Sequence, residues 1–305
     1  MIVKILNLIL LLTMPFLMIG VIRKTKAFWG ARYGASIFQP FYDFIKLMKK
    51  DSIFSSSTTH LFKLAPAISF ACIIFASLFT PMLMGKAIIN IQGGLIIFAY
   101  SLGLSKFISL LASMETASSF EGMGSSREAC FTTIIEPAFF IVIASIMALS
   151  KLYTFDSLNF IIVSSGSLGI LITIFAIACL FIMLIVEGAR VPVDDPATHL
   201  ELTMIHEVMV LDNCSQELAL ISYSAWAKMF LISSLIATLI LPLHLTFWAS
   251  LSAFIGIMIL ISIIIGTIES AIARLRMSHI FEFAFIMSSL ALVTASLVAL
   301  KLYGV

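Results

Sequence analysis

The sequence predicts an all-α fold: a polytopic membrane protein with about eight transmembrane helices and an amphipathic interfacial helix after the first. Two observations lead there. Hydrophobic residues make up 61% of the chain and charged residues 11%, with a mean hydropathy of +1.14. A soluble domain of this length cannot bury so much apolar surface. The apolar runs also reach the roughly 20 residues that a helix needs to cross a bilayer, about twice the length of a barrel strand.

The expected spans are 5–22, 62–84, 88–111, 134–153, 159–186, 218–242, 245–267 and 281–302. Residues 1–305 then form a single integral membrane domain. The first run lacks a small-residue cleavage site and meets Arg23, Lys24 and Lys26 at once, which fits a retained span better than a leader. The fifth run is long enough to tilt. Pro66, Pro81, Pro137 and Pro242 fall near the expected span ends, where a missing N–H is least harmful.

Charge orients the chain. The loops after spans one, three, five and seven hold Arg23, Lys24, Lys26, Arg32, Lys46, Lys49, Lys50, Lys63, Arg127, Arg190, Arg274 and Arg276, against Lys4, Lys86, Lys151 and Lys301 opposite. The richer side is cytoplasmic by the positive-inside rule, so both termini face outward, as in a multi-pass protein of a bacterial-type inner (plasma) membrane. Of the acids only Asp156 falls outside. Acids contribute little to topology, so their one-sidedness predicts a wet face that meets something cytoplasmic. A net charge of +2 gives no nucleic-acid footprint.

The first cytoplasmic loop, 23–61, carries the amphipathic helix. Phe41, Phe44, Ile45 and Met48 form one stripe, and Asp43, Lys46 and Lys50 lie elsewhere around it. Such a helix either rests at the headgroups or borders a binding chamber. The third loop holds Glu115, Glu121, Gly122, Gly124, Arg127 and Glu128 among serines, and reads as a bent connection with solvated acids. Glu136 precedes Pro137 at the entrance of an apolar span, where proline frees nearby carbonyls for water or a protonated acid.

The acidic cytoplasmic loop 187–217 concentrates the chemistry. Glu187, Arg190, Asp194, Asp195, His199, Glu201, His206 and Glu207 crowd together beside hydrocarbon, where ionisable groups persist mainly by pairing or by carrying ions. Glu187 and Arg190 are placed for a local pair. Asp195 and Pro196 read as N-cap and first residue of a helix running through Met209, with His199 and His206 on one face. Two histidines without converging ligands favour a relay or interface role over a metal. Four scattered cysteines with no C-x-x-C pair exclude a chain-borne cluster of the usual spacing.

Lysines also fall inside spans. Lys106 is near enough to an end to snorkel. Lys228 lies mid-span and should face a carboxylate or a water path, with Glu217 extending a polar stripe towards it. Arg274 and Arg276, with Glu269 and Glu282, form either a topogenic turn or a docking surface.

The segment with Glu187, Arg190, Pro192, Asp194, Pro196 and Glu201 resembles the loop of the respiratory NADH dehydrogenase subunit 1 family. Arg32, Gly34, Gln39, Pro40, Asp43 and Lys46 resemble its loop after the first span, and Gly124, Arg127 and Glu136 its third. Asp194 to Glu207, with Gly122 to Glu128 and Glu136 to Ala138, is similar to the branch found in membrane-bound group 4 nickel–iron hydrogenases, including formate hydrogenlyase and hydrogenase 4. The chain departs from the pattern at Asp212 to Gln216, where the family usually places a basic turn; Glu217 thereby loses an adjacent partner.

The resemblance implies a membrane-anchor and coupling subunit of an energy-converting hydrogenase-like complex, itself a non-catalytic part of an oxidoreductase. It implies no cofactor or metal in this chain. Nickel–iron and iron–sulfur centres would sit in hydrogenase-like large and small subunits of a soluble arm, and antiporter-like subunits would move protons or sodium ions. Glu115, Glu136, Glu187, Asp194, Asp195, Glu201, Glu207 and Lys228 are the expected proton-path or coupling groups. Arg127, Arg190, His199, His206, Arg274 and Arg276 are the expected charge-tuning or docking groups. The respiratory branch would instead add a quinone site. A stand-alone ion transporter and a passive anchor are the readings from other classes; the former lacks the internal repeat common in carriers.

Overall fold

The structure, a computed structural model, describes residues 2–55, 58–150, 166–194, 204–242 and 245–303. Nine α-helices occur among the described residues: α1 (Ile2–Trp29), α2 (Gln39–Met48), α3 (His60–Phe79), α4 (Gly94–Glu115), α5 (Ser119–Ser150), α6 (Gly166–Glu187), α7 (Ser215–Ile240), α8 (Phe247–Ala271) and α9 (Met277–Tyr303). All but α2 are long and apolar enough to span a bilayer, giving eight candidate spans and a multi-pass membrane protein.

Helix α7 is the axis. It is the most buried span and touches α1, α2, α3, α6 and α8. Around it α1 packs on α8, α3 on α4, and α9 on both α5 and α6. The outward sides of α4, α8 and α9 keep large apolar residues exposed, including Tyr100, Ile259 and Phe285, as a lipid-facing surface requires. At one end Asn7 fastens the link between α3 and α4: its amide donates to Lys86 O at 3.0 Å, and its carbonyl accepts from Leu83 N at 3.3 Å.

The amphipathic helix forms where the apolar stripe places it, with Pro40 in its first turn. Its Phe41 and Phe44 meet Phe16 of α1 edge-on at 5.4 and 5.5 Å, and Phe44 also meets Tyr223 of α7. On the polar side Asp43 accepts from Arg23 at 3.2 Å and Gln39 at 2.8 Å. The chain between α1 and α2 folds back so closely that a Cβ on Gly20 would lie 1.9 Å from Ile37 O. Only glycine permits that approach.

Two expectations fail. Residues 119–133 are not a bent loop before a span; they are the first turns of α5, so Pro137 sits inside a helix rather than near its start. Their serines turn inward to the helix, Ser125 Oγ donating to Glu121 O at 2.7 Å and Ser126 Oγ to Met123 O at 2.9 Å. Close packing does hold at Gly124, whose added Cβ would be 2.4 Å from Val208. The helix expected from Asp195 to Met209 is also not what the described part shows. Asp195 to Thr203 lie outside the described residues, and the remainder ends in a single 3-10 turn, Glu207–Val210.

Replacing Gly20 by Ala should strip the α1–α2 connection from α1 and lower stability by about 1–3 kcal/mol, the usual cost of overpacking. Gly103→Ala, with no atom within 4 Å of the new carbon, is the control that should leave the melting temperature in mild detergent unchanged.

Candidate functional site

Seven ionisable side chains join end to end through the bundle. Lys228 Nζ on α7 lies 3.3 Å from Glu187 Oε2 at the end of α6. The other oxygen of Glu187 bonds Lys106 of α4. Lys106 Nζ lies 2.9 Å from Glu128 Oε1 of α5, and Glu128 Oε2 lies 3.2 Å from His206 Nε2. His206 Nδ1 is 3.6 Å from Asp194 Oδ2, whose Oδ1 is 3.0 Å from Arg274. Positive and negative groups alternate without a break from the α8–α9 connection into the bundle.

Depth explains the pairing. Lys228 is about 20 Å along α7 from Ser215, and Lys106 about 14 Å along α4 from Glu115, at the helical rise. Charges at such depth are tolerated when they are mutually paired. Lys106 therefore does not snorkel as its position suggested; it is buried between two carboxylates. Glu128, which reads in the sequence as a solvated loop acid, is buried and bridges Lys106 to His206.

Asp194 closes the loop that the sequence crowds with charge. Its Oδ2 accepts from Ile205 N at 3.1 Å and His206 N at 3.0 Å, so it turns the chain instead of letting an α-helix run through these residues. Arg127 Nη1 donates to Met204 O at 2.8 Å and holds the same turn from α5. Burial alone would raise the Asp194 pKa, but the hydrogen bond and charge of His206, with Arg274, hold it below its ordinary value. Burial likewise disfavours His206 as a cation, yet Glu128 and Asp194 outweigh that and push its pKa from 6.5 up to about 10. His206 is therefore an imidazolium at neutral pH.

The local Glu187–Arg190 pair is absent. Arg190 reaches Glu269 of α8 at 3.3 Å, and Glu269 Oε2 lies 3.0 Å from Lys26 of α1. This second cluster and five members of the chain, Lys228, Glu187, Lys106, Glu128 and His206, border one cavity of about 480 Å³, together with Arg23, Glu207 and apolar side chains such as Ile22 and Trp226. Glu136 lies further along α5 and borders a small gap with Lys106, Glu187 and Lys228. The chain holds four cations, Lys228, Lys106, His206 and Arg274, against three anions, Glu187, Glu128 and Asp194. Further carboxyls beside the chain are Glu136 on the small gap and Glu207 and Glu269 on the cavity.

The other expected residues stand apart. Glu115 accepts from Thr59 N at 2.6 Å at the start of α3, and Arg276 is exposed. Glu217 accepts from Ser52 at 2.6 Å instead of extending a stripe to Lys228, which supplies the partner its missing basic neighbour would have given. Asp195, His199 and Glu201 lie outside the described residues. Lys106, Glu128, Lys26 and Glu269 were missed as site groups. The i, i+7 spacing of Glu121 and Glu128 was the available signal for an acid-bearing helix face.

A family model described as NADH dehydrogenase matches residues 2–300. The chain belongs to that family. Hydrogenase-4 component C of Escherichia coli K12 is 24% identical over 295 residues, covering 93% of this chain and 92% of that one. Formate hydrogenlyase subunit 4 of the same organism is 26% identical over 121 residues, 40% of this chain and 39% of that one. A chain in the structure of the membrane-bound sulfane sulfur reductase, an archaeal respiratory membrane complex, aligns with a TM-score of 0.79 at 17% identity over 96% of this chain and 98% of that one, and shows the shared fold. These matches fit a membrane subunit of an energy-converting, hydrogenase-like complex. Among the described residues no three or more His, Cys, Asp or Glu side chains gather as a metal site.

The raised His206 pKa has a stability consequence with a definite sign. Its ion-pair contribution is complete below pH 6.5 and is lost as pH rises through about 10. The melting temperature of the native protein should exceed that of His206→Gln at neutral pH, and the difference should close as pH passes 10.

Proposed function

We propose that the chain couples redox chemistry in a soluble hydrogenase-like arm to ion translocation by antiporter-like membrane subunits. The observation that carries this is the unbroken alternation from Arg274 to Lys228. In such a chain a change of charge at one end alters every pair in turn. Protonating Glu128, for example, releases both His206 and Lys106, and Lys106 then shifts towards Glu187. The arm would dock on the face bearing Asp194, His206 and Arg274, which the positive-inside rule places in the cytoplasm with both termini opposite. Large and small hydrogenase-like subunits would hold the nickel–iron and iron–sulfur centres. This chain contributes the coupling groups Glu187, Asp194, Glu136, Glu207 and Lys228, together with Lys106 and Glu128.

The cavity favours a second reading. About 480 Å³ of mostly apolar space ending on charged groups suits the ring of a quinone, the ligand of the respiratory alternative. Displacement of a bound quinone-site inhibitor by excess quinone would support it; no binding would leave the hydrogenase-like reading.

Glu187→Gln and Glu201→Gln test the coupling role. The complex purified through a tag on this chain should assemble in both variants, yet proton uptake by sealed vesicles driven with reduced methyl viologen should fall by about a hundredfold, the scale of a lost proton-transfer group. Full uptake in both would remove these residues from the path. Loss of assembly in both would make the acids docking groups.

A further inference from the structure

The end of α1, the connection after it and α2 carry an excess of positive charge that neither ionic cluster absorbs. From Arg23 to Lys50 the chain has seven Lys and Arg residues and one acid, Asp43. Lys26 is committed to Glu269, and Arg23 to Asp43. The side chains of Arg32, Lys46, Lys49 and Lys50 are exposed and make no hydrogen bond or ion pair among the described residues. Lys46 and Lys50 fall three and seven residues after Asp43, on the same helix face, and Lys49 flanks them.

Aromatic side chains stand exposed among these cations. Phe28, Trp29, Phe38, Phe41 and Tyr42 all do so, and Tyr33 is 97% exposed. The depth of α2 indicates what covers them. Phe44 meets Tyr223, about 12 Å along α7 from Ser215, and Phe16, about 20 Å along α1 from Trp29. Helix α2 therefore packs on the sides of two spans, below their ends, so its outer face lies level with the edge of a bilayer. Orienting the chain requires only that cations lie on this side; it does not require exposed rings between them. Trp and Tyr favour the headgroup layer, and clustered lysines favour one that carries negative charge.

We propose that α2 and the end of α1 form a binding site for anionic phospholipid. Lys46, Lys49 and Lys50 hold the phosphate headgroup as point charges, and the acyl chains lie against the exposed part of Phe41. The same helix is tied to the wall of the cavity. Asp43 bonds Arg23, which lines it, and Phe16 joins Phe41 and Phe44 to Trp226, which also lines it. A lipid bound here presses α2 onto α1 and α7, and so steadies those two residues of the cavity wall.

The test uses the complex purified through a tag on this chain and reconstituted in phosphatidylcholine vesicles. Each sample contains a trace of a photoactivatable lipid with a diazirine in its acyl chain, either phosphatidylglycerol or phosphatidylcholine. Mass spectrometry then compares labelling of residues 28–50 with labelling around Tyr100, an exposed residue of α4 that serves as the internal standard. The phosphatidylglycerol probe should label 28–50 about tenfold more than the phosphatidylcholine probe, relative to that standard. The preference should vanish near 1 M salt, where the screening length is about 3 Å. Lys46→Gln, Lys49→Gln and Lys50→Gln together should remove it, and the three Lys→Arg changes together should keep it. Equal labelling of 28–50 by the two probes, or an unchanged preference in the Gln variant, overturns the site. Labelling at Tyr100 with none at 28–50 would mean that a protein partner covers the face, and overturns it too. If the Gln variant fails to assemble, the native complex decides: a preference that survives 1 M salt is not ionic, and the proposal falls.

Discussion

Glu187 held between Lys106 and Lys228 is the constraint on which the rest depends. It joins α4, α6 and α7 deep within the bundle. Each of these charges would be prohibitively costly alone, and removing one partner of such a pair typically costs about 3–5 kcal/mol. The pairing therefore fixes how three spans sit against one another. The same requirement extends through Glu128 to α5 and through Asp194 to the α8–α9 connection, so the ionic chain and the helix packing are one solution to one problem.

That arrangement also stores responsiveness. A hydrophobic seam of equal volume would hold helices together at least as well. What it lacks is sensitivity to a proton. In the observed chain each carboxylate serves two cations, or a cation and backbone donors, so neutralising one unbalances both sides. His206 sits between two of these carboxylates, its Nε2 facing Glu128 and its Nδ1 facing Asp194. The adjoining cavity gives the chain a boundary that is mostly apolar and carries charged groups at its wall.

The sequence made much of this legible. Apolar runs located all eight spans, because a bilayer requires about 20 apolar residues whatever the neighbours are. The amphipathic helix was legible because one stripe repeats at helical spacing, and Lys228 because no snorkelling route exists at mid-span. Glu128 and Lys106 were misread for a common reason. Each lies near an expected span end, where local sequence offers solvent as the simplest partner. The early start of α5 was hidden by glycines and serines, residues that favour loops in isolation but allow tight helix packing against the 205–209 turn.

The sequence by itself determined that this chain lives in a membrane, crosses it about eight times and gathers its acids on one side. Those properties are sums over residues, set by hydropathy and charge alone. Only the tertiary structure decided that Arg190 belongs to Glu269 and not to Glu187, that Glu217 belongs to Ser52, and that four separate helices and two loops contribute to one line of charge. Pairing at depth is a choice among all helices that meet there, and that choice is made by the packing of distant segments rather than by spacing along the chain.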